Sequence, residues 1–250
     1  VISYNLHGYN QGLTGLQELV ATLSPDVIMI QEHWLSTDNL PDLCNVSHDY
    51  FLFGSSAMDE NLSSGPLFGR PYGGTAMLIK KSYSAVTMTL STAERYCVVS
   101  VANWLLVNVY MPSSGVKDRR ELYTDLLCEL DNVIQLHPNK NYLIGGDFNV
   151  DLNGNDYVSY AVNNFMLRNN LYRLDVLHPV GTRCRPTYGN ESLHTASCID
   201  YFLTNSQSDT IGFNTVDLDL NLSDHLPILA VCKYQETVTC PNTKPAANVT

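Results

Sequence analysis

The sequence predicts an α/β fold made of one domain followed by a short polar tail. Apolar runs rich in β-branched residues alternate along the chain with segments whose apolar residues recur at helical spacing. Several of these runs are apolar on both alternations, which is typical of strands that are buried on both faces beneath helices. A length of 250 residues suits a single α/β or sandwich domain.

Eight segments have the composition of strands. They are residues 1–4, 27–30, 75–79, 98–101, 105–110, 142–144, 199–203 and 228–231. Because helical patterns separate several of these segments, we expect helices to cover the sheets that the strands form.

Three helices are predicted between these strands. The first has four apolar residues at helical spacing, namely Leu13, Leu16, Val20 and Leu23. Thr14 and Gln17 are placed as a capping box for that helix. The second helix begins near Asp118 and ends before Pro138, which cannot continue a helix. A weaker helical pattern covers about residues 156–168.

The predicted domain covers residues 1–234. Residues 235–250 are rich in Thr, Pro, Asn and Ala and have little apolar surface to bury, which predicts a flexible linker. The chain begins with Val1 and shows no signal-peptide pattern, so we expect a mature chain or a piece cut from a longer polypeptide.

The composition excludes several classes of protein. No apolar run approaches the roughly 18–20 residues of a membrane span, so an integral membrane protein is excluded. The net charge of −11 argues against a basic protein that coats nucleic acid. The seven cysteines are odd in number and form no CxxC pair, so we expect free thiols and an intracellular protein.

Polar side chains follow the predicted strands at the points where the strands end or begin. They are Asn5, His7, Glu32, Tyr110, Asp147, Asn149, Asp200, Asp224 and His225. Binding sites in α/β sheets gather at the carboxyl ends of strands, so we expect these side chains to converge on one cleft.

The residue types of this set favour hydrolysis of a phosphate ester assisted by a metal ion. Glu32 and Asp224 offer hard anionic oxygens and Asn5 a neutral one, which suits Mg²⁺ better than structural zinc. A carboxylate at Asp147 and an amide at Asn149 can accept a proton from water and orient it.

An imidazole and a carboxylate complete the predicted chemistry. His225 has a ring whose tautomer Asp200 can fix, and its protonated form would stabilise negative charge on a phosphoryl oxygen. Each motif alone also has an ordinary structural interpretation as a turn, a helix cap or a solvated strand end. The ordered series of motifs is therefore the informative feature.

That series resembles the endonuclease/exonuclease/phosphatase superfamily. It consists of Asn5-x-His7-Gly8, Gln31-Glu32, Tyr110-x-Pro112, Gly146-Asp147-Phe148-Asn149, Ile199-Asp200-Tyr201 and Ser223-Asp224-His225. Within the superfamily, the chain looks most like the apurinic-type endonuclease domain of non-long-terminal-repeat retrotransposons. The sequence Gly-Arg-Pro-Tyr-Gly-Gly-Thr-Ala at residues 69–76 resembles a glycine-rich strand entry in those domains.

The resemblance implies a four-layer α/β sandwich, in which two mixed sheets pack face to face with helices on the outside. It implies a metal site for Mg²⁺, or Mn²⁺ as a substitute, with Glu32 as the principal ligand and Asn5 and Asp224 nearby. It leaves open whether Asp147 or His225 is the general base.

Further site residues are also implied by the resemblance. Asp147 would align the attacking water with help from Asn149, Tyr110 would contact the scissile phosphate, and His225 would be oriented by Asp200. Ser113 and Thr187 would contact phosphate. Apurinic repair enzymes carry Asp at the position of His7, so this histidine is a departure, and we expect it to contact the metal or a phosphate.

Few basic residues are available to hold a DNA backbone. They are Lys117, Arg119, Arg120, Arg183 and Arg185. Each phosphate contact releases about one counterion from the DNA and so makes binding more dependent on salt. This small set of basic residues therefore predicts weak and salt-sensitive binding. Such binding is expected of a domain that the rest of a larger polyprotein, including a reverse transcriptase, holds on its target.

Three hypotheses for function remain open. The first is a Mg²⁺-dependent endonuclease that acts in the nucleus and nicks DNA to leave a 3′ hydroxyl for target-primed reverse transcription. The second is a phosphatase or phospholipase of the same superfamily that acts on inositol phosphates or sphingomyelin. The third is a catalytically degenerate binding domain, which the presence of the whole polar series disfavours.

Overall fold

The structure is a computed structural model that describes residues 1–59, 63, 65, 70–179, 185–190 and 194–234. The predicted linker at residues 235–250 lies outside the described residues, as does Arg183. None of the helices in the described ranges is long and apolar enough to cross a bilayer.

Fourteen strands are present in the described residues. They are β1 (Ile2–Asn5), β2 (Val27–Gln31), β3 (Tyr50–Ser55), β4 (Thr75–Lys80), β5 (Thr87–Thr92), β6 (Tyr96–Val101), β7 (Trp104–Tyr110), β8 (Asn141–Asp147), β9 (Tyr172–Arg173), β10 (Tyr188–Asn190), β11 (Thr195–Ser197), β12 (Asp200–Thr204), β13 (Thr210–Thr215) and β14 (Ile228–Cys232).

The described helices are α1 (Tyr9–Leu23), α2 (Arg119–Leu136), α3 (Tyr157–Arg168) and the single turn α4 (Leu174–Leu177). Two 3₁₀ segments, Thr37–Val46 and Lys81–Val86, flank the hairpins of the sheets.

Twelve of the strands form two sheets of six strands each. The first sheet has the order β13-β14-β1-β2-β4-β3 and the second has the order β5-β6-β7-β8-β12-β9. Strands β1 and β2 are parallel, as are β7 and β8, whereas every other neighbouring pair in the two sheets is antiparallel. Both sheets are therefore mixed.

Three apolar clusters hold four layers together. Leu16 and Leu19 of α1 pack on one face of the first sheet. Residues such as Met29 and Phe202 fill the space between the two sheets. Helices α2 and α3 cover the outer face of the second sheet, where Phe165 is fully buried. This architecture confirms the predicted four-layer sandwich with helices on the outside.

A polar contact also joins the two sheets inside the sandwich. Nδ2 of Asn108 on β7 donates to the main-chain oxygens of Ile30 and Ala76 at 2.8 Å each, and its Oδ1 accepts from Gln31. Asn108 and Gln31 are both fully buried. Since β2 and β4 belong to the other sheet, this side chain fixes how the two sheets sit beneath the site.

The predicted start of the first helix is wrong. Helix α1 begins at Tyr9 and not near Thr14, so Thr14 and Gln17 do not form a capping box. The chain turns into the helix at Gly8, whose φ of 97° is left-handed and favours glycine. A Cβ at Gly8 would also lie only 2.5 Å from the indole of Trp34.

The strand pairing brings the predicted polar residues to one edge of the sandwich. Asn5 lies beside Gln31 in the pair of β1 and β2. Asp147 lies beside Tyr110 on one side and Asp200 on the other, in the pairs that β8 makes with β7 and β12. The two sheets face each other, so both groups open onto the same cleft.

Candidate active site

Asn5 joins the two sheets at the centre of the cleft. Its Nδ2 donates to Oε1 of Glu32 at 3.1 Å and to Oδ2 of Asp147 at 2.9 Å. Its Oδ1 accepts from the main-chain N–H of His7 at 3.0 Å. In this arrangement the side-chain nitrogen of Asn5 faces both carboxylates, and the expectation that Asn5 offers its oxygen to a metal stays a prediction.

Asn149 holds the other side of Asp147. Its side-chain nitrogen donates to Oδ2 of Asp147 at 3.0 Å and to the main-chain oxygen of Met111 at 2.9 Å. Its main-chain N–H donates to Oδ1 of Asp147 at 2.7 Å. Two amide side chains and one main-chain N–H thus fix the Asp147 carboxylate, which is 1% exposed.

His225 and Asp200 form a buried pair next to Asp147. Nδ1 of His225 lies 2.9 Å from Oδ2 of Asp200, so the carboxylate fixes the ring and places the Nδ1 proton. Nε2 of His225 lies 3.9 Å from Oδ2 of Asp147 and 3.9 Å from Oδ1 of Asp224. The free ring nitrogen therefore faces two carboxylates.

The charges of this cluster shift its pKa values. Burial alone would lower the pKa of His225, but the carboxylates of Asp200 and Asp147 outweigh it and raise that pKa above its usual value. Burial is also the largest influence on the pKa of Asp147, and it raises that pKa. His225 opposes the increase, whereas the charge of Asp200 adds to it. Protonated His225 is thus the form that suits its surroundings.

Asp224 and His7 lie at the mouth of the cleft. Nδ1 of His7 lies 2.9 Å from Oδ1 of Asp224, although this buried oxygen has no partner in hydrogen-bond geometry among the described residues. Burial opposes ionisation of Asp224, but His7 and His225 outweigh it and hold the pKa of this carboxyl below its usual value. Asp224 is therefore an anion with an oxygen available to a cation.

Tyr110 adds a neutral phenol to the site. Burial, followed by the charges of Glu32 and Asp147, raises the pKa of Tyr110 far above its usual value. A phenol that stays protonated beside carboxylates can donate a hydrogen bond to a phosphate oxygen. The guanidinium of Arg95 lies 5.4 Å from the centre of this ring.

The remaining predicted residues occupy different surroundings. The hydroxyl of Thr187 accepts from the main-chain N–H groups of Ile199 and Asp200 at 3.2 and 3.1 Å, so it fixes the start of β12, and its contact with phosphate stays a prediction. Arg185 is exposed and makes a bidentate ion pair with Asp217. The hydroxyl of Ser113 makes no hydrogen bond within the described ranges, and the residue lies just beyond β7.

Two residues of the site were missed by sequence reasoning. Nε1 of Trp34 donates to Oε2 of Glu32 at 3.0 Å. Arg70 stacks on Trp34, with its Cζ 4.4 Å from the ring centre, and its Nη2 lies 3.2 Å from Nε2 of His7. The only sequence signal is position, because Trp34 follows Glu32 by two residues and Arg70 precedes the strand entry at Gly73.

The donor set fits a divalent cation. Four carboxylates, from Glu32, Asp147, Asp200 and Asp224, surround the cleft, and His225 lies among them. Ligand atoms of Asp147, Asp200 and His225 lie within 4.8 Å of one another. Carboxylate oxygens are the donors that Mg²⁺ and Mn²⁺ prefer, and a cation would offset the repulsion between these anions.

Solved structures share this fold. The 3′ phosphatase NExo from Neisseria, bound to a product DNA hairpin, matches with a TM-score of 0.71 and 17% identity, over 93% of this chain and 98% of that chain. The AP endonuclease LMAP from Leishmania major matches with a TM-score of 0.69 and 16% identity, over 93% and 87%. An AP endonuclease from Archaeoglobus fulgidus matches with a TM-score of 0.69 and 14% identity, over 93% and 98%.

The sequence itself defines the family. The chain belongs to the Endonuclease/Exonuclease/phosphatase family, whose sequence model matches residues 2–225. This match covers every site residue from Asn5 to His225 and all strands of the two sheets except β14. A search of curated proteins finds no match.

Proposed function

We propose that the chain is a phosphodiesterase that depends on a divalent metal and nicks duplex DNA. The observation that carries the proposal is the convergence on Asp147 of Asn5, Asn149 and the His225–Asp200 pair, from both sheets of the sandwich. Buried carboxylates beside an imidazole can act as general acid and base next to a phosphate and can stabilise the charge that develops on it.

Glu32 and Asp224 are the residues that we propose to hold Mg²⁺, with Mn²⁺ as a substitute. Oε1 and Oε2 of Glu32 are both oriented, by Asn5 and by Trp34, and Oδ1 of Asp224 accepts no hydrogen bond from the described residues. When bound, the metal supplies positive charge for the phosphate oxygens and for the departing oxygen.

Asp147 is the proposed acceptor of the proton from the attacking water. Nδ1 of His225 is engaged by Asp200, and Nε2 faces Asp147 and Asp224, so a protonated ring suits this position best. Protonated His225, together with the phenol of Tyr110, would stabilise negative charge on the phosphoryl oxygens. Asn149 would orient the water beside Asp147.

Two lines of support favour DNA as the substrate. The chain shares its fold with AP endonucleases and with a 3′ phosphatase that binds a DNA hairpin. The sequence at residues 69–76 resembles the strand entry of retrotransposon endonucleases. We extend the proposal to a nuclear domain of a polyprotein with reverse transcriptase, in which the nick supplies a 3′ hydroxyl for priming.

A comparison of two substrates tests the proposed function. Wild-type protein with Mg²⁺ should convert supercoiled plasmid to open circle and should release no phosphate from inositol polyphosphates. Glu32→Gln, which keeps the shape of the side chain but removes its charge, should lose nicking. Intact plasmid together with rapid release of inositol phosphate would replace the endonuclease proposal with the phosphatase alternative.

A further inference from the structure

A continuous set of contacts connects the two proposed metal-binding carboxylates around the mouth of the cleft. It runs from Glu32 through Trp34, Arg70 and His7 to Asp224. Arg70 is the exposed member of the set and lies midway along it. The contacts therefore place one cation at the entrance of an otherwise acidic site.

The indole of Trp34 is held from three sides. Its Nε1 donates to Glu32 at 3.0 Å, and its ring centre lies 5.1 Å from that of His7. Its six-membered ring packs where a Cβ at Gly8 would be only 2.5–2.8 Å away. Trp34 itself has a left-handed φ of 55°, which an aromatic residue rarely adopts. The ring is thus a fixed platform for the guanidinium of Arg70.

The two ring nitrogens of His7 face groups of opposite charge. Arginine only donates hydrogen bonds, so Nε2 of His7, 3.2 Å from Nη2 of Arg70, must be the unprotonated ring nitrogen. Nδ1, the other ring nitrogen, lies 2.9 Å from Oδ1 of Asp224, outside hydrogen-bond geometry. His7 thus lies between the cation of Arg70 and the anion of Asp224.

Arg70 differs from other exposed arginines in its partners. Arg185 pairs with Asp217 and Arg168 pairs with Asp131, so carboxylates already balance their charges. The partners of Arg70 in the described part of the chain are two aromatic rings. Its positive charge is therefore available to a polyanion that approaches the cleft.

We propose that Arg70 binds a backbone phosphate of the DNA strand next to the scissile phosphate, with Trp34 and His7 as positioning residues. This inference rests on the proposed function, since it identifies how an acidic site would accept a polyanion. A planar guanidinium stacked on a ring is already ordered, so little freedom is lost when it meets a phosphate.

Binding without turnover tests the role of Arg70. Anisotropy of a labelled DNA duplex, measured in EDTA over a series of KCl concentrations, gives the slope of log Kd against log salt. Arg70→Gln should weaken binding several-fold and reduce that slope by about 0.9, the effect of one phosphate contact. Arg70→Lys should keep the slope and recover part of the affinity. Arg168→Gln, the same change at a paired surface arginine, should alter neither quantity.

A double substitution tests the positioning role of Trp34. Trp34→Leu should weaken binding several-fold, Trp34→Phe should recover most of the loss, and Trp34→Leu combined with Arg70→Gln should bind no more weakly than Arg70→Gln alone.

An unchanged slope for Arg70→Gln, or wild-type protein that shows no salt-dependent binding, would overturn the role of Arg70. Fully additive losses would overturn the role of Trp34. Failure of the proposed function would instead appear as absent nicking with Mg²⁺.

Discussion

Four non-glycine residues beside the cleft have a left-handed backbone. They are His7, Glu32, Trp34 and Asn149, with φ between 50° and 55°. Asparagine and histidine adopt this conformation more often than most residues, but glutamate and tryptophan do so rarely, at a cost of order 1–3 kcal/mol each. Such strain gathers at sites where side chains must point in directions that a regular strand does not allow.

Substitution of Asp147 should separate stability from activity. Burial and the charge of Asp200 disfavour its ionised form, so Asp147→Asn should keep or raise the thermal midpoint while activity falls roughly 10²-fold or more. Because a raised pKa means that folding favours the protonated carboxyl, the gain should grow as pH rises above the usual carboxyl range. Melting curves across pH check this expectation.

Asp131→Asn, on the outer helix α2, is the control and should keep activity. A midpoint that drops by many degrees for Asp147→Asn, in step with lost activity, would assign a structural role to Asp147.

Asp200 and His225 should behave as one unit. Asp200→Asn and His225→Ala should each lower turnover roughly 10²-fold or more, because either change removes a correctly oriented imidazolium. The double variant should lose far less than the product of the two single losses. Steady-state kinetics of wild type, the two single variants and the double variant gives a double-mutant cycle. Fully multiplicative losses would mean that the two residues act independently.

At the scale of elements, the strands in the interior of the two sheets were predicted correctly from the sequence, whereas the strands at their edges were not. All eight predicted strands are present, and they are the eight interior strands of the two sheets. The four edge strands, β3, β5, β9 and β13, were not predicted. An edge strand such as β5 is largely exposed, so its sequence lacks the apolar pattern that identifies a buried strand.

The site was also predictable only in part. The rule that polar residues gather at strand ends places Glu32, Asp147 and His225 together from sequence alone. The rule does not reveal that Asn5 turns its nitrogen toward the carboxylates, or that Arg70 reaches Trp34 from a separate segment. Those contacts depend on tertiary packing, which no local pattern encodes.

Substitution of Gly146 tests how closely β7 and β8, the two parallel strands of the second sheet, must approach each other. Its φ is 145°, and a Cβ there would lie 2.0 Å from the main-chain oxygen of Val109 on β7. Gly146→Ala should therefore destabilise the protein by about 3 kcal/mol or more. Denaturant titration measures the loss.

Gly189 provides a matched control on β10, because a Cβ there would meet no atom within 4 Å. Gly189→Ala should stay close to wild type. Equal stability of the two variants would contradict the close approach of β7 and β8.

At the scale of the whole molecule, the protein carries a net charge of −11 and concentrates four carboxylates at one edge of the sandwich. A bound cation would relieve that repulsion in the folded state alone. Mg²⁺ should therefore raise the thermal midpoint in a concentration-dependent way, and EDTA should reverse the shift.

Glu32→Gln should show a much smaller response to Mg²⁺ in the same scan, whereas Asp131→Asn should respond like wild type. An equal response of Glu32→Gln and wild type would remove Glu32 from the proposed metal site.

The chemistry of the nick tests the central claim most directly. Supercoiled plasmid is treated with the protein and Mg²⁺, and the open circles are then given to a DNA polymerase without prior phosphatase treatment. Attack by water with departure of the 3′ oxygen leaves a 3′ hydroxyl, so the polymerase should extend the nick, and EDTA should abolish both nicking and extension. Plasmid that stays intact with Mg²⁺, or nicks that are extended only after a phosphatase removes a 3′ phosphate, would contradict the account.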